Sequence, residues 1–233
     1  MFKYAFEAVV IISGILLSFY IEELRIERKN IKQKNEILVD LKYTAEDDLK
    51  QIILIESILF NTIESVELLL NDIKNNHSDL TDREAVENIF NIEVATSFIP
   101  KDGIYNELIS TGSFELIENR RLKSTLLEVY NHLKERNYTI SRIIDDDVQD
   151  FFASYRKEFK LRIDPSEAED QSIYGRLVVE EFEFNHDFFL SGTLIGELTT
   201  VEFYSRNYLS LLNTTKNSYH RLITLLDEEL AGI

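Results

Sequence analysis

The sequence predicts an all-α protein in which a single N-terminal transmembrane helix continues into a long-helix bundle that assembles as a homo-oligomer. Three observations carry this expectation. The 233 residues include only 7 Gly and 2 Pro, too few turn formers for a strand-rich fold. Apolar residues recur at helical spacing over most of the chain. An uncharged apolar run, Ala8 to Ile21, leads into a dense basic flank of Arg25, Arg28, Lys29, Lys32 and Lys34.

These features divide the chain into a transmembrane helix with its basic flank over residues 1–30 and a helical soluble domain over 31–233. From Tyr4 to Ile21 a helix is about 27 Å long, close to the thickness of a hydrocarbon core. Phe2, Tyr4 and Phe6 at one end, and Phe19 and Tyr20 at the other, suit the two membrane interfaces. A cleaved signal peptide would put its bases before the apolar run and a small-residue site after it. Here the bases follow, and FYIEEL offers no such site. An uncleaved span is therefore expected ahead of a signal peptide or a buried or interfacial helix. Basic residues concentrate on the C-terminal side, which places that side in the cytoplasm of a single-pass inner-membrane protein.

Glu7, Ile11, Gly14, Ser18, Ile21, Arg25, Arg28 and Lys32 recur at spacings of three or four and share one helix face. Gly14 and Ser18 form a small-xxx-small pair, which lets helices approach closely in lipid. An ionisable Glu7 facing acyl chains is costly and should face protein or water. Glu7, Ile11, Gly14, Ser18 and Ile21 are thus the expected pore or oligomer seam. A monomeric anchor would leave the stripe without a role.

Leu38, Leu41, Ala45, Leu49, Ile52, Leu59, Ile63, Val66, Leu70 and Ile73 keep a near-heptad spacing, so the first helix is expected to run to about residue 74, with a kink near Asn30 or Asn35. Asn75 to Asp82 is a polar turn, and Thr81 or Asp82 caps a short helix through Val94. Thr96 to Gly103 is a loop. IYNELISTG is a short helix ending at Gly112, and another begins near Phe114. A long helix covers about Asn119 to Arg162, with Leu122, Leu126, Val129, Leu133, Ile140 and Ile143 inward. Asp164 to Ser172 is an acidic loop. Tyr174 to Phe184 reads as helix, with strand as the alternative. Asn185 or Asp187 starts a turn, Ser191 to Gly196 is a break, and a last helix runs from about Leu198 to Leu230.

Net charge is −17, and the chain beyond residue 34 is more acidic still. Such a domain repels general nucleic acid and anionic lipid. The absence of cysteine excludes disulfides, thiol catalysis and Cys-based zinc sites. His77, His132, His186 and His220 are scattered and lack a metal-type partner at i+3 or i+4, so no metal site is expected. Asp145, Asp146, Asp147 and Asp150 lack the glycine and terminal Glu of a calcium loop. No phosphate loop, nucleophile elbow or dinucleotide fingerprint occurs, so neither an enzyme nor a cofactor is expected.

One region departs from the acidic average. Residues 120–162 carry more bases than acids, with tyrosines among them. Arg forks suit phosphate and carboxylate. Arg120, Arg121, Lys123, Lys134, Arg136, Arg142, Arg156, Lys157 and Lys160 are therefore the candidate ligand-binding residues, against the simpler reading of charge pairing between neighbouring helices.

YAFEAVVIISGILLSFYIEELRIERKN, followed by a helical hairpin, resembles a widespread family of bacterial single-span proteins. So does IYNELISTGSFELIENRRLKSTLLEVYNHL, through Tyr105, Leu108, Ser110, Gly112, Leu116, Ile117, Asn119, Leu122 and Tyr130. The two blocks cover about a quarter of the chain. The resemblance implies an anchor with a helical domain and supplies no catalytic residues. Phe19–Glu23 departs from that family, which is rich there in polar amides and Trp. The architecture is also similar to that of Hailong-type channel effectors of bacterial anti-phage defence, which an oligonucleotide made by a partner enzyme holds closed. That likeness implies a homo-oligomeric, regulated ion channel or membrane-disrupting effector. Its partners would be the lipid bilayer, further copies of itself, a nucleotide or oligonucleotide signal and a partner enzyme. The alternative is a non-catalytic, membrane-anchored scaffold or interaction module.

Overall fold

The computed structural model describes residues 2–92, 97–164 and 178–231, without the side chains of 2–9, 147–150, 163, 164 and 178. The described residues form an α-helical bundle with one small antiparallel ribbon. Helix α1 runs unbroken from Phe2 to Lys74. Helical hydrogen bonding continues through Asn30 and Asn35, where the kink is expected. No Gly or Pro falls between Gly14 and Lys74 to break the ladder.

Burial on α1 starts at Lys34. From there Ile37, Leu38, Leu41, Ala45, Leu49, Ile52, Ile55, Leu59, Ile63, Val66, Leu69 and Ile73 face inward. The expected stripe is reproduced except that Leu70 is only half-buried and packs beside the core. Helix α7, Gly192–Ala231, lies antiparallel along this stretch and supplies Leu194, Leu198, Val201, Tyr208, Leu211, Leu212, Tyr219, Leu222, Leu225 and Leu226. Ion pairs mark the antiparallel register: Lys34–Glu229 at 2.9 Å, Lys42–Asp227 at 2.6 Å, Lys216–Glu56 at 2.6 Å and Arg206–Glu67 at 2.5 Å.

The expected break at Ser191 to Gly196 is corrected. Ser191 Oγ accepts a hydrogen bond from Leu194 N at 3.2 Å and caps α7, which continues straight through Gly196. The helix thus begins about a turn and a half earlier than the apolar stripe suggested.

Helix α2, Asp82–Phe90, opens with a capping box of Thr81 and Glu84. It ends before Val94, which lies outside the described residues. Helix α3, Gly103–Ser110, is followed by Gly112 at φ 73°, a left-handed position that favours glycine, and by a 3-10 turn at Ser113–Leu116. Asn119 accepts from Arg121 N and Leu122 N and starts α4, Arg120–Leu127.

The expected long helix from Asn119 to Arg162 is modified at two points. A wide π turn at Glu128–Leu133 separates α4 from α5, Lys134–Glu158. It turns both Val129 and Tyr130 inward. Farther on, the buried positions are Asn137, Ser141 and Ile144, while Ile140 is half-buried and Ile143 is exposed. The helix ends at Glu158, and Arg162–Asp164 is strand β1, paired with β2, Val178–Glu181. The strand alternative for the Val-rich segment is therefore the observed one, over four residues. The rest of the acidic loop, residues 165–177, is outside the described residues. Asn185 caps the single-turn helix α6, His186–Phe189.

The connection from Ser97 to Asp102 is held by buried polar bonds. Asn137 Nδ2 donates to Phe98 O at 2.5 Å, Tyr208 Oη donates to Asn137 Oδ1 at 2.9 Å, and Phe98 N donates to Tyr208 Oη at 2.7 Å. Asn137→Ala leaves the Phe98 carbonyl without its amide donor and the Tyr208 hydroxyl without its amide acceptor, while the Phe98 N–H bond to Tyr208 remains. We expect a loss of about 2 kcal/mol, read as a lower urea midpoint with an unchanged slope. An unchanged midpoint would show that these bonds are replaced by water.

Candidate functional site

The first candidate is the free N-terminal length of α1. From Val10 to Ile31 nearly every residue is exposed, including Ile11 at 63%, Leu16 at 63% and Phe19 at 70%. These side chains point to all sides of the helix, whereas a surface helix packed on a core exposes only its polar face. Ser18 Oγ donates to Gly14 O at 2.9 Å, which returns the hydroxyl to its own helix. A shallow groove passes Gly14 between Ile11, Ile15 and Ser18. A second groove continues along Arg28, Lys32, Asn35 and Val39. Of the expected seam, Ile11, Gly14, Ser18 and Ile21 thus lie on open helix surface, while the side chain of Glu7 is outside the described residues. Among the described residues, no helix is long and apolar enough to cross a membrane. The expected span starts at Tyr4, among the side chains not described.

Lys34 stands apart from the rest of the basic flank. Its side chain is buried with Glu229 where α1 enters the bundle. Its charge is therefore committed within the protein, and the flanking bases that remain exposed are Arg25, Arg28, Lys29 and Lys32.

The nine candidate ligand-binding bases do not converge. They follow α4, the π turn and α5 over more than 50 Å at about 1.5 Å per residue. Lys123 Nζ reaches Glu115 and lies over the Phe114 ring. Lys134 pairs with Asp102 at 2.5 Å, Lys160 pairs with Glu183, and Arg156 lies over Phe152. Arg120, Arg121, Arg142 and Lys157 are exposed. Arg136 borders a cleft between α5 and α7, beside Tyr204 and Asn207. Charge pairing, the simpler sequence reading, accounts for Lys123, Lys134 and Lys160.

The block from Tyr105 to Tyr130 has a structural logic. Leu108, Ile117 and Leu122 are core residues, Gly112 takes the left-handed turn and Asn119 is a cap. Tyr105 and Tyr130 stack with centroids 4.7 Å apart, and Tyr130 meets Tyr219 edge-on at 6.3 Å. Behind them Tyr219 Oη donates to Asp48 Oδ2 at 2.8 Å, in the middle of the α1–α7 contact. Lys101 N also donates to Asp48. Tyr130 Oη has no hydrogen-bond partner among the described residues. Burial pushes the Asp48 carboxyl up to about 6, against the hydrogen bonds from Tyr219 and Lys101, which favour its charged form. Burial likewise raises the three tyrosines. Sequence reading missed Asp48 because it ends a run of three acids, Glu46 to Asp48, which looks like solvent-facing charge on a heptad-patterned helix.

A third cluster also escaped the sequence. His77, in the turn after α1, and His186, at the start of α6, flank Asp82. The His77 side chain is only 6% exposed, so it is not the surface loop residue its polar neighbours suggested. Its Nδ1 lies 2.5 Å from Asp72 and its Nε2 lies 2.9 Å from Asp82. Burial disfavours the imidazolium, yet the hydrogen bonds to Asp72 and Asp82 outweigh it and raise the His77 pKa. His132 and His220 are exposed, as expected. Asp145 and Asp146 are exposed too, and the side chains of Asp147 and Asp150 are not described.

No family model, curated protein or solved structure matches this chain. The family likeness drawn above therefore stands on the residues quoted for it, and the channel-effector likeness on architecture alone.

Asp48 supplies a pH prediction. Its folded pKa, about 6, lies above the value near 3.9 of an unfolded Asp, so folding favours its protonated form. Its stabilising contribution is full below about pH 4 and is lost as pH rises through 6, by about 3 kcal/mol at most. Urea unfolding at pH 4.5 and pH 7 should show this loss in the wild type and a flatter profile in Asp48→Asn. Equal pH slopes in the two proteins would refute the assignment.

Proposed function

We propose that this chain is a single-pass inner-membrane protein that self-associates through its N-terminal helix and acts as a regulated ion-conducting or membrane-disrupting effector, with its helical bundle in the cytoplasm. The observation that carries this reading is the exposed length of α1, whose Val10–Ile21 stretch carries apolar side chains around the helix and is continuous with the bundle. Isolated in water, such a surface far exceeds a normal apolar patch. Lipid covers it on every side without requiring a protein groove shaped to each face. Arg25, Arg28, Lys29 and Lys32 then lie at the cytoplasmic interface.

Self-association rests on the stripe through Ile11, Gly14, Ser18 and Ile21. Its three-four spacing is that of a left-handed helix seam, and the groove at Gly14 admits a neighbouring backbone. Because α1 has no break between stripe and bundle, any rearrangement of the bundles in an oligomer moves the spans with them. A nucleotide-type anion made by a partner enzyme is the proposed signal, and a role in anti-phage defence the proposed setting.

A second reading, a non-catalytic membrane-anchored scaffold, is favoured by one observation. The candidate ligand-binding bases are dispersed, and three of them are engaged with acids of the same chain. Within one protomer there is no assembled anion site among them.

Gly14→Leu separates assembly from folding. Nothing lies within 4 Å of a Cβ added at Gly14, so the chain's own packing is untouched, and leucine favours helix by about 0.8 kcal/mol. The substitution should abolish oligomers in cross-linking and conductance together, while thermal unfolding of the bundle stays as in wild type. Unaltered assembly would remove the seam. In planar bilayers the purified full-length protein should give discrete openings. A silent bilayer containing inserted oligomer, with and without added nucleotides, would instead establish the scaffold.

A further inference from the structure

We propose that His77, Asp82 and His186 form a binding site for a divalent transition-metal ion of the zinc class, at the end of the bundle remote from the N-terminus. The three residues come from three separate elements: the turn after α1, the first residue of α2 and the first residue of α6. Their ligand atoms all lie within 4.8 Å of one another. His77 Nε2 is 2.9 Å from Asp82 Oδ1, and His186 Nε2 is 4.0 Å from Asp82 Oδ2.

A tetrahedral zinc ion with bonds near 2.1 Å holds its ligand atoms about 3.4 Å apart. The set is already close to that spacing. What remains is an inward movement of His186, whose side chain is 61% exposed and unconfined on its solvent side. Three protein ligands leave a further coordination position open to water or a small anion.

Asp72 distinguishes this cluster from a chance meeting of surface side chains. Its carboxylate is fully buried. Oδ1 accepts from the backbone N–H groups of Asp79 at 2.8 Å and Leu80 at 3.1 Å, which fixes the group in place. Oδ2 faces His77 Nδ1 at 2.5 Å. A proton on Nδ1 is held there, while Nε2–H donates to Asp82 in the metal-free protein, and a metal ion would displace that proton and take the freed lone pair. A buried carboxylate orienting a ligand histidine in this way is the usual outer shell of a metal site.

Aromatic rings hold the His77 imidazole on two sides and touch the edge of His186. Phe184 stacks on His77 at 4.8 Å and 11°, and meets His186 edge-on at 4.8 Å. Phe189 packs on His77 at 4.7 Å. His77 itself sits at φ 58°, a left-handed conformation that is uncommon outside glycine. The donor set of two imidazole nitrogens and one carboxylate selects zinc, cobalt or nickel over magnesium and calcium, which want oxygen. Bound metal would tie the α1–α2 turn to the start of α6 and so to the segment leading into α7.

The test uses tag-free, full-length protein in detergent after chelator treatment. Titration with cobalt(II) should give a visible d–d spectrum that saturates at one ion per chain and is displaced by zinc. Zinc should raise the melting temperature, whereas magnesium should not. His186→Ala should fold with the metal-free melting temperature of the wild type, because that side chain is exposed, and should bind cobalt at least tenfold more weakly. Asp72→Asn should weaken binding roughly 10- to 100-fold with the ligands intact. His132→Ala and His220→Ala should change nothing. A wild type without a saturable cobalt spectrum would overturn the site, and so would a His186→Ala protein that binds as the wild type does.

Discussion

The structure depends on one contact, the antiparallel packing of the second half of α1 against α7. Both helices are far longer than the other elements, and each buries one stripe against the other. The described elements between them in sequence, of which α5 with 25 residues is the longest, are laid onto this pair. Burial of the Leu and Ile side chains supplies the driving force, at about 1.5–3 kcal/mol for each fully buried residue. Apolar stripes alone slide by a turn at little cost, so the register needs directional bonds. Lys34–Glu229, Lys216–Glu56 and Tyr219–Asp48 supply them at successive levels, and each is paired, since an unpaired buried charge would be strongly destabilising.

That pairing also decides what is left outside. α7 ends at Ala231, level with the buried Lys34–Glu229 pair. Below that level α1 has no companion among the described residues, yet its helical hydrogen bonding does not stop. The apolar residues from Val10 to Ile26 are thereby exposed on a helix without a partner among the described residues. The same helix carries both the free segment and the core stripe, so the free segment is anchored in the most extensively packed part of the molecule. Rigid continuity of this kind converts a change in bundle packing into a displacement of the N-terminal helix, without any hinge to absorb it.

At the opposite end the chain reverses through a polar turn that the core does not dictate. Its order comes from Asp72, a carboxylate that gathers two backbone N–H groups and an imidazole. The π turn plays a comparable part in the middle, where one widened turn sets Tyr130 against both Tyr105 and Tyr219. The specific features of the bundle are thus polar or aromatic interruptions of otherwise uniform helices.

The sequence by itself determined the all-helical class, the length of α1, a cap at Thr81 or Asp82 for α2, the turn at Gly112 and most of the core positions. These follow from local rules: apolar spacing of 3.6, side-chain caps, and the scarcity of breakers. Where polar residues occupy core positions the periodic signal fails. Asn137 and Ser141 were invisible as core, and Ile143 was read inward in place of Ile144. The start of α7 was misplaced because Gly192 and Gly196 resemble a break until the cap at Ser191 is seen. Only the tertiary structure decided which side chains distant in sequence meet. Asp48 and Tyr219, or His77 and His186, are brought together by helix pairing and chain reversal, and no local pattern encodes such a meeting. The dispersal of the basic residues along α4 and α5 is likewise a fact of geometry, since a helix spreads along its axis what composition counts as one island.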